Sequence, residues 1–163
     1  LGAAIGPQAI IEVFNKLNTN MESCTTHFIQ RGMVEAIQGD SAGPDAIIDE
    51  LRRRRDAAVA GLNRIDGLSI TAPNSTFYLF PNVTRIMERK AFTDVNQLMQ
   101  EALTETNVSF CTRKHFGRPM AEEQQHYVRF AYSGIGLADI DEGMGRLKAY
   151  FESRQPRTFT LAP

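Results

Sequence analysis

An arginine stands in the middle of the apolar run Tyr127-Val128-Arg129-Phe130-Ala131-Tyr132. In an extended strand Val128, Phe130 and Tyr132 fall on one face, and Tyr127, Arg129 and Ala131 on the other. A mid-strand guanidinium needs an acceptor. Either an Asp or Glu of the protein holds it in an ion pair, or it takes a ligand carboxylate through two parallel hydrogen bonds. From composition alone the internal pair is the commoner outcome. Upstream, Arg113-Lys114-His115-Phe116-Gly117-Arg118 is a basic stretch that either covers an anionic substrate or is simply solvated.

Other reactive residue types are scattered. The three histidines, His27, His115 and His126, fall on a helix, in a loop and before a strand, so no metal cluster is expected. Two cysteines, Cys24 and Cys111, lie far apart without ligand spacing and read as free thiols. The four lysines are Lys16, Lys90, Lys114 and Lys148. No P-loop, GxGxxG or GxSxG motif occurs, nor a nucleophile with a base nearby in the sequence.

The elements that must position these residues follow from the periodicity. Leu1-Gly2-Ala3-Ala4-Ile5-Gly6-Pro7 looks like the inside of a buried strand running into a helix, and the chain reads as a fragment. Ile10, Ile11, Phe14 and Leu17 predict that helix. Ser23 is expected to cap a second one, striped by Phe28, Ile29, Met33, Ala36 and Ile37 and stopped at Gly39-Asp40. A long helix opens at Gly43-Pro44-Asp45 and continues to Asp66-Gly67. Its Arg52-Arg53-Arg54-Arg55 points all round the axis, as a solvated face with one or two paired arginines rather than a nucleic-acid patch.

From Leu68 the period shortens. Residues 68–71 and 76–80 predict a hairpin about Pro73-Asn74-Ser75. A helix capped by Thr93 follows, then a strand over 108–111, a surface loop over 112–125 and the arginine-bearing strand. Ile140, Met144, Leu147 and Phe151 mark a last helix, with Asp139, Asp141 and Glu142 early and Arg146, Lys148 and Arg154 late. The tail from Gln155 is expected to be loose. Helices packed on a small sheet make the fold class α/β.

Composition narrows the function. With 163 residues, 42% hydrophobic and 23% charged, the chain holds an ordinary globular core. A formal net charge of -1 argues against nucleic acid or an anionic membrane as partner. No apolar run reaches spanning length and no secretory leader is recognisable, so a cytoplasmic setting is the expectation.

Taken in order, these segments resemble the class I/II pyridoxal-phosphate-dependent aminotransferases over nearly the whole chain. Residues 1–7 are similar to the strand-to-helix element after the cofactor-lysine segment, and Gln30 to Ile37 to the helix beyond it. Arg53-Arg54-Arg55-Asp56 resembles the arginine-rich stretch of the interdomain helix. Pro73 with Phe77-Tyr78-Leu79-Phe80 resembles the small domain's aromatic strand pair, Val108 with Phe116-Gly117 the loop over the active site, and residues 127–132 the strand carrying the substrate arginine.

The resemblance implies the small C-terminal domain of a fold type I enzyme, preceded by the last strand and helices of the large one: residues 1–40 ending the large domain, 41–153 the small domain, 154–163 a tail. It implies that Arg129 grips the α-carboxylate of an amino acid, that Arg113, His115 and Phe116 belong to the active-site loop, and that Thr19, Asn20 and Ser23 lie at a homodimer interface beside the partner's active site. The substrates implied are an aspartate-like amino acid and a 2-oxo acid. Pyridoxal phosphate would not be bound covalently to this chain, because no lysine stands in the family's Schiff-base setting. No catalytic residue and no metal ligand are expected here, and the chain without its N-terminal large domain is expected to be inactive. Ser75 replaces the family's usual turn glycine and Thr112-Arg113 a usual Pro-Gly pair. The competing expectations are a lyase or decarboxylase on the same scaffold, and a non-catalytic small-molecule-binding or dimerisation domain.

Overall fold

The computed structural model describes residues 1–118 and 120–153. Arg154 and the tail from Gln155, expected at the end of the last helix and beyond it, lie outside the described residues. The chain divides into two compact units, Leu1–Ala46 and Ile47–Pro163.

The first unit carries α1 (Gln8–Met21) and α2 (His27–Gln38). Pro7 opens α1, its carbonyl accepting from the Ile10 and Ile11 N–H groups at 3.0 and 3.1 Å. The strand expected over the opening residues is not formed, since a strand needs a partner ladder and none of the described residues pairs with them. Ser23 does not cap α2. It takes a left-handed conformation, φ 65°, and the helix begins after Thr26 without a side-chain cap. No residue of α1 or α2 is buried, and Ile10, Val13, Phe14, Leu17 and Met21 form an exposed apolar row along α1.

The second unit is built on α3 (Ala42–Asn63), which the unit boundary crosses in its first turns. All four arginines of its tetrad are paired, more than the one or two expected: Arg52 with Asp49, Arg53 and Arg54 with Glu50, Arg55 with Asp56. Three and four residues are helical neighbours, so Asp49 and Glu50 meet the charges one turn on. Arg54 and Arg55 also donate to the Ser133 and Pro73 carbonyls. Further along, Gly61 lets α3 approach the last helix, because a Cβ there would lie 2.5 Å from Met144 Cγ.

After α3 come β1 (Tyr78–Leu79), α4 (Thr84–Lys90), α5 (Val95–Thr106), β2 (Cys111–Thr112), a 3-10 turn (Arg113–Phe116), β3 (Val128–Ala131) and α6 (Leu137–Glu152). The sheet order is β1-β3-β2, both pairs antiparallel, with Leu79 opposite Phe130 and Cys111 opposite Arg129. The expected hairpin is corrected: Ser69 bridges only Asn82, and β1 pairs with β3. Bends over 74–77, with Thr76 at φ 66°, carry the chain away from a local partner. Likewise β2 lies a little later than the expected strand at 108–111. Helix α4 went unforeseen because seven residues give too short a window for the 3.6 period to be read. Val128 and Phe130 face a core completed by Leu62, Ile86, Leu98, Leu147 and Phe151, the alternation expected of β3.

Asp94 rather than Thr93 caps α5, accepting from the Asn96 N–H at 2.9 Å. That bond, and next the Lys114 ammonium, hold its carboxyl below the ordinary carboxylate value. Asp94→Ala should therefore cost about 1 kcal/mol, read as the shift in urea midpoint against wild type. A lowered folded pKa contributes stability above the unfolded value near 3.8 and loses it as pH falls through the folded one, so the gap should close in acid. A gap independent of pH would rule out the charged cap.

Candidate functional site

Arg129 sits at the centre of the sheet, on the middle strand, and none of the described acidic side chains forms an ion pair with it. Its Cζ lies 4.1 Å from the centroid of the Tyr78 ring and 4.3 Å from that of Phe116. One Nη donates to Cys111 Sγ at 3.8 Å, a weak acceptor, and Nε is buried with no partner. Unpaired polar atoms are costly in an interior, so a guanidinium with aromatic rings around it and donors to spare is suited to receive an acceptor from outside the chain. A groove of about 510 Å³ lies beside it, lined by Tyr78, Phe80, Tyr127 and Arg129 among others. Phe80 and Tyr127 stack there with ring planes 3° apart.

Phe116 reaches Arg129 because the 3-10 turn is tied down at three points. At its start the Thr112 N–H donates to His115 Nδ1 at 3.1 Å, and the Thr112 hydroxyl donates to Asn96 Oδ1 at 2.8 Å. Arg113 pairs with Glu123 at 3.1 Å and donates to the Gly117 carbonyl, and its backbone N–H donates to the Tyr127 carbonyl. Lys114 pairs with Asp94, the α5 cap, at 2.9 Å. Gly117, at φ 120°, then lets the chain leave the turn in a conformation that suits a residue without Cβ.

Of the expected loop trio the structure thus brings only Phe116 against Arg129. Arg113 and His115 are engaged in holding the turn. Thr19, Asn20 and Ser23 lie in the first unit, where Thr19 and Asn20 bond back to the Asn15 and Lys16 carbonyls of their own helix. Tyr78 and Cys111 were not singled out for this site by sequence. The available signal was the aromatic run 77–80 and the cross-strand register, which a sequence does not display.

A second polar cluster was also missed. Lys90 is only 1% exposed, donates to Ser153 Oγ at 2.8 Å and lies 4.1 Å from the Tyr150 ring centroid. Burial lowers its pKa, while Glu101 and Glu105 oppose that shift. Tyr150 donates to Glu101 Oε1 at 2.8 Å, and burial first, then that bond, raise its pKa. Lys90 gave no sequence signal because it falls in the unforeseen α4.

Residues 1–147 match the family of class I and II aminotransferases. The chain belongs to that family. Class I and II aminotransferases are pyridoxal-phosphate-dependent in general. Among relatives similar to this aminotransferase chain are an asparagine–oxo-acid transaminase of Streptococcus mutans and an aspartate aminotransferase of Bacillus subtilis. Each is 28% identical over 93% of the chain and 37% of its own length. The chain therefore spans a little over a third of the curated relatives it matches. Solved structures like it include an alanine aminotransferase from Pyrococcus furiosus, with a TM-score of 0.72 at 22% identity over 87% of this chain and 34% of that one. The aspartate aminotransferase of Rhizobium meliloti gives 0.67 at 24% identity, over 90% and 36%. These likenesses show the fold, that of the fold type I aminotransferases.

Within the second unit of this aminotransferase chain the lysines make contacts of their own. Lys114 and Lys148 pair with Asp94 and Glu152, Lys90 lies among α4, α5 and α6, and none of the residues lining the groove is a lysine. The described residues around Arg129 therefore fit a carboxylate and not an aldehyde-bearing cofactor. They hold no cluster of His, Cys, Asp or Glu suited to a metal, and no described helix is long and apolar enough to cross a membrane.

Thr112, which stands where the resemblance implies a proline, has a structural part in the turn. A proline at 112 would have no N–H for His115, whereas Thr112, 0% exposed, supplies both N–H and hydroxyl. Thr112→Val should cost about 1–3 kcal/mol by leaving Asn96 Oδ1 without its donor. Chemical denaturation reads the loss, and an unchanged midpoint would show that the hydroxyl bond contributes nothing to holding the turn.

Proposed function

We propose that the whole protein is a pyridoxal-phosphate-dependent aminotransferase, moving an amino group between an aspartate-like amino acid and a 2-oxo acid, and that this chain supplies the grip on the substrate carboxylate. The observation that carries the reading is the state of Arg129: central in the sheet, flanked by two aromatic rings, with Nε unpartnered and no described carboxylate paired to it. A carboxylate meets a guanidinium edge in plane through two charge-assisted hydrogen bonds. Relatives named for aspartate and asparagine support a small acidic or amide amino acid as donor.

When bound, pyridoxal phosphate supplies the electron sink that makes the substrate's Cα bonds labile. The Schiff-base lysine and the anchors for ring nitrogen and phosphate would come from sequence outside these 163 residues, consistent with the share of the relatives that the chain spans. On this reading residues 1–40 belong to the cofactor-binding domain and 41–153 to the domain that carries Arg129. Thr19, Asn20 and Ser23 would face a partner subunit in a homodimer, and the chain by itself would not transaminate.

What Arg129 does in the reaction is to bind and orient. Fixing the carboxylate sets the rotation of the substrate, so that its amino group and Cα–H are presented the same way at each encounter. In the full-length protein with its cofactor, Arg129→Lys should raise KM for L-aspartate by roughly 10- to 100-fold, because a point-charge ammonium replaces the two-pronged donor. Steady-state kinetics check this, and unchanged KM and turnover would remove Arg129 from the substrate site.

A further inference from the structure

The β1-β3-β2 order places a different strand on either side of β3, and each side contributes one ring to Arg129. On the β1 side Tyr78 is opposite Ala131, two residues beyond Arg129 and on the same face of the sheet, so its ring is a diagonal neighbour of the guanidinium. On the β2 side Cys111 is directly opposite, and Phe116 comes from the turn that continues β2. The rings thus arrive from both flanks, at 4.1 and 4.3 Å.

A guanidinium has two kinds of surface. All its donors lie along the edge, while its faces carry none. Rings over the carbon cover what cannot donate and leave the N–H edge to an acceptor. They also replace water without competing for the hydrogen bonds, since an aromatic face attracts the cation but is no match for a carboxylate. The sulfur of Cys111, a weak acceptor 3.8 Å from one Arg129 Nη, adds a contact from the β2 side.

We propose that Tyr78 and Phe116 are positioning residues: their rings hold the Arg129 guanidinium between them, fixing its plane so that its edge is presented to a substrate carboxylate. Phe116 is the adjustable half. The residue is 43% exposed, and its place depends on the Thr112–His115, Arg113–Glu123 and Lys114–Asp94 contacts of the turn. The three charged or polar residues of Arg113-Lys114-His115, which by type alone suggest contact with an anionic substrate, instead keep a phenyl ring on the arginine. This inference rests on Arg129 binding the carboxylate and extends it to the residues that make the binding possible.

The test uses the full-length protein with its cofactor, carrying Tyr78→Ala, Tyr78→Phe, Phe116→Ala, Phe116→Leu or Phe116→Trp. The readings are KM and kcat for L-aspartate, and the dissociation constant of propionate, a carboxylate without an amino group, by calorimetry. Loss of a ring, in the alanine variants and in Phe116→Leu, should weaken propionate and raise KM by about 5- to 30-fold with kcat held within about twofold. The variants that keep a ring, Tyr78→Phe and Phe116→Trp, should stay within about twofold of wild type. Phe116→Leu keeps an apolar side chain in place, so a fold that tolerates leucine but not alanine still gives an answer. Equal losses in ring-keeping and ring-removing variants, or a fall in kcat with propionate binding unmoved, would overturn the proposal. If Arg129→Lys weakens propionate and the ring-removing variants do not, only this inference fails. If Arg129→Lys leaves propionate binding intact, the carboxylate grip itself fails.

Discussion

A positive charge on the central strand of a small sheet sets the terms for everything near it. An isolated charge taken out of water is expensive unless a partner or a polarisable surface stands in for the lost hydration. The protein gives Arg129 aromatic faces instead of a carboxylate. That choice leaves the guanidinium without a described carboxylate partner and its buried Nε without an acceptor, and it requires two elements far apart in sequence to deliver their rings to one atom. β1 carries Tyr78, and the 3-10 turn carries Phe116. The core beneath β3 fixes the strand on which both depend.

The other well-placed arginines make the contrast. Arg54, Arg55, Arg89 and Arg113 are partly buried and each is paired with a carboxylate, with backbone carbonyls taking further donors. These contacts tie loops to helices: Arg55 holds the bend at Pro73, Arg89 the end of the chain segment at Asp66, Arg113 the turn at Gly117. The arginines that tie segments together are neutralised by carboxylates, whereas Arg129 meets two aromatic rings.

How much of this could be read from sequence follows the range of the interactions. Long periodic segments were legible: α3, α5 and α6 fall where the apolar spacing puts them, and the alternation of Val128, Arg129 and Phe130 gave the face of β3 correctly. Segments whose structure depends on a distant partner were not. Residues 68–71 and 76–80 look like a local hairpin, but Tyr78 and Leu79 pair with Ala131 and Phe130. Seven residues of α4 are too few to display a period, so buried Lys90 went unseen. At the site, the type of Arg129 suggested its chemistry, while a sequence does not show that none of the described carboxylates pairs with it, because pairing is a property of the folded neighbourhood. The basic loop misled in the same way: Arg113, Lys114 and His115 advertise an anion, and their folded partners are Glu123, Asp94 and Thr112.

The strand order carries a consequence for biosynthesis. In sequence β3 comes last of the three strands, yet in space it lies between the other two. Neither β1 nor β2 has a sheet neighbour until residues 128–131 have been made, so both emerge from the ribosome as short segments whose backbone groups are left to water. Completing the sheet therefore waits on the arginine strand, which pairs with two segments that precede it in the sequence. Arg129 thus arrives with the strand that completes the sheet, and a nascent chain that has not reached it has neither.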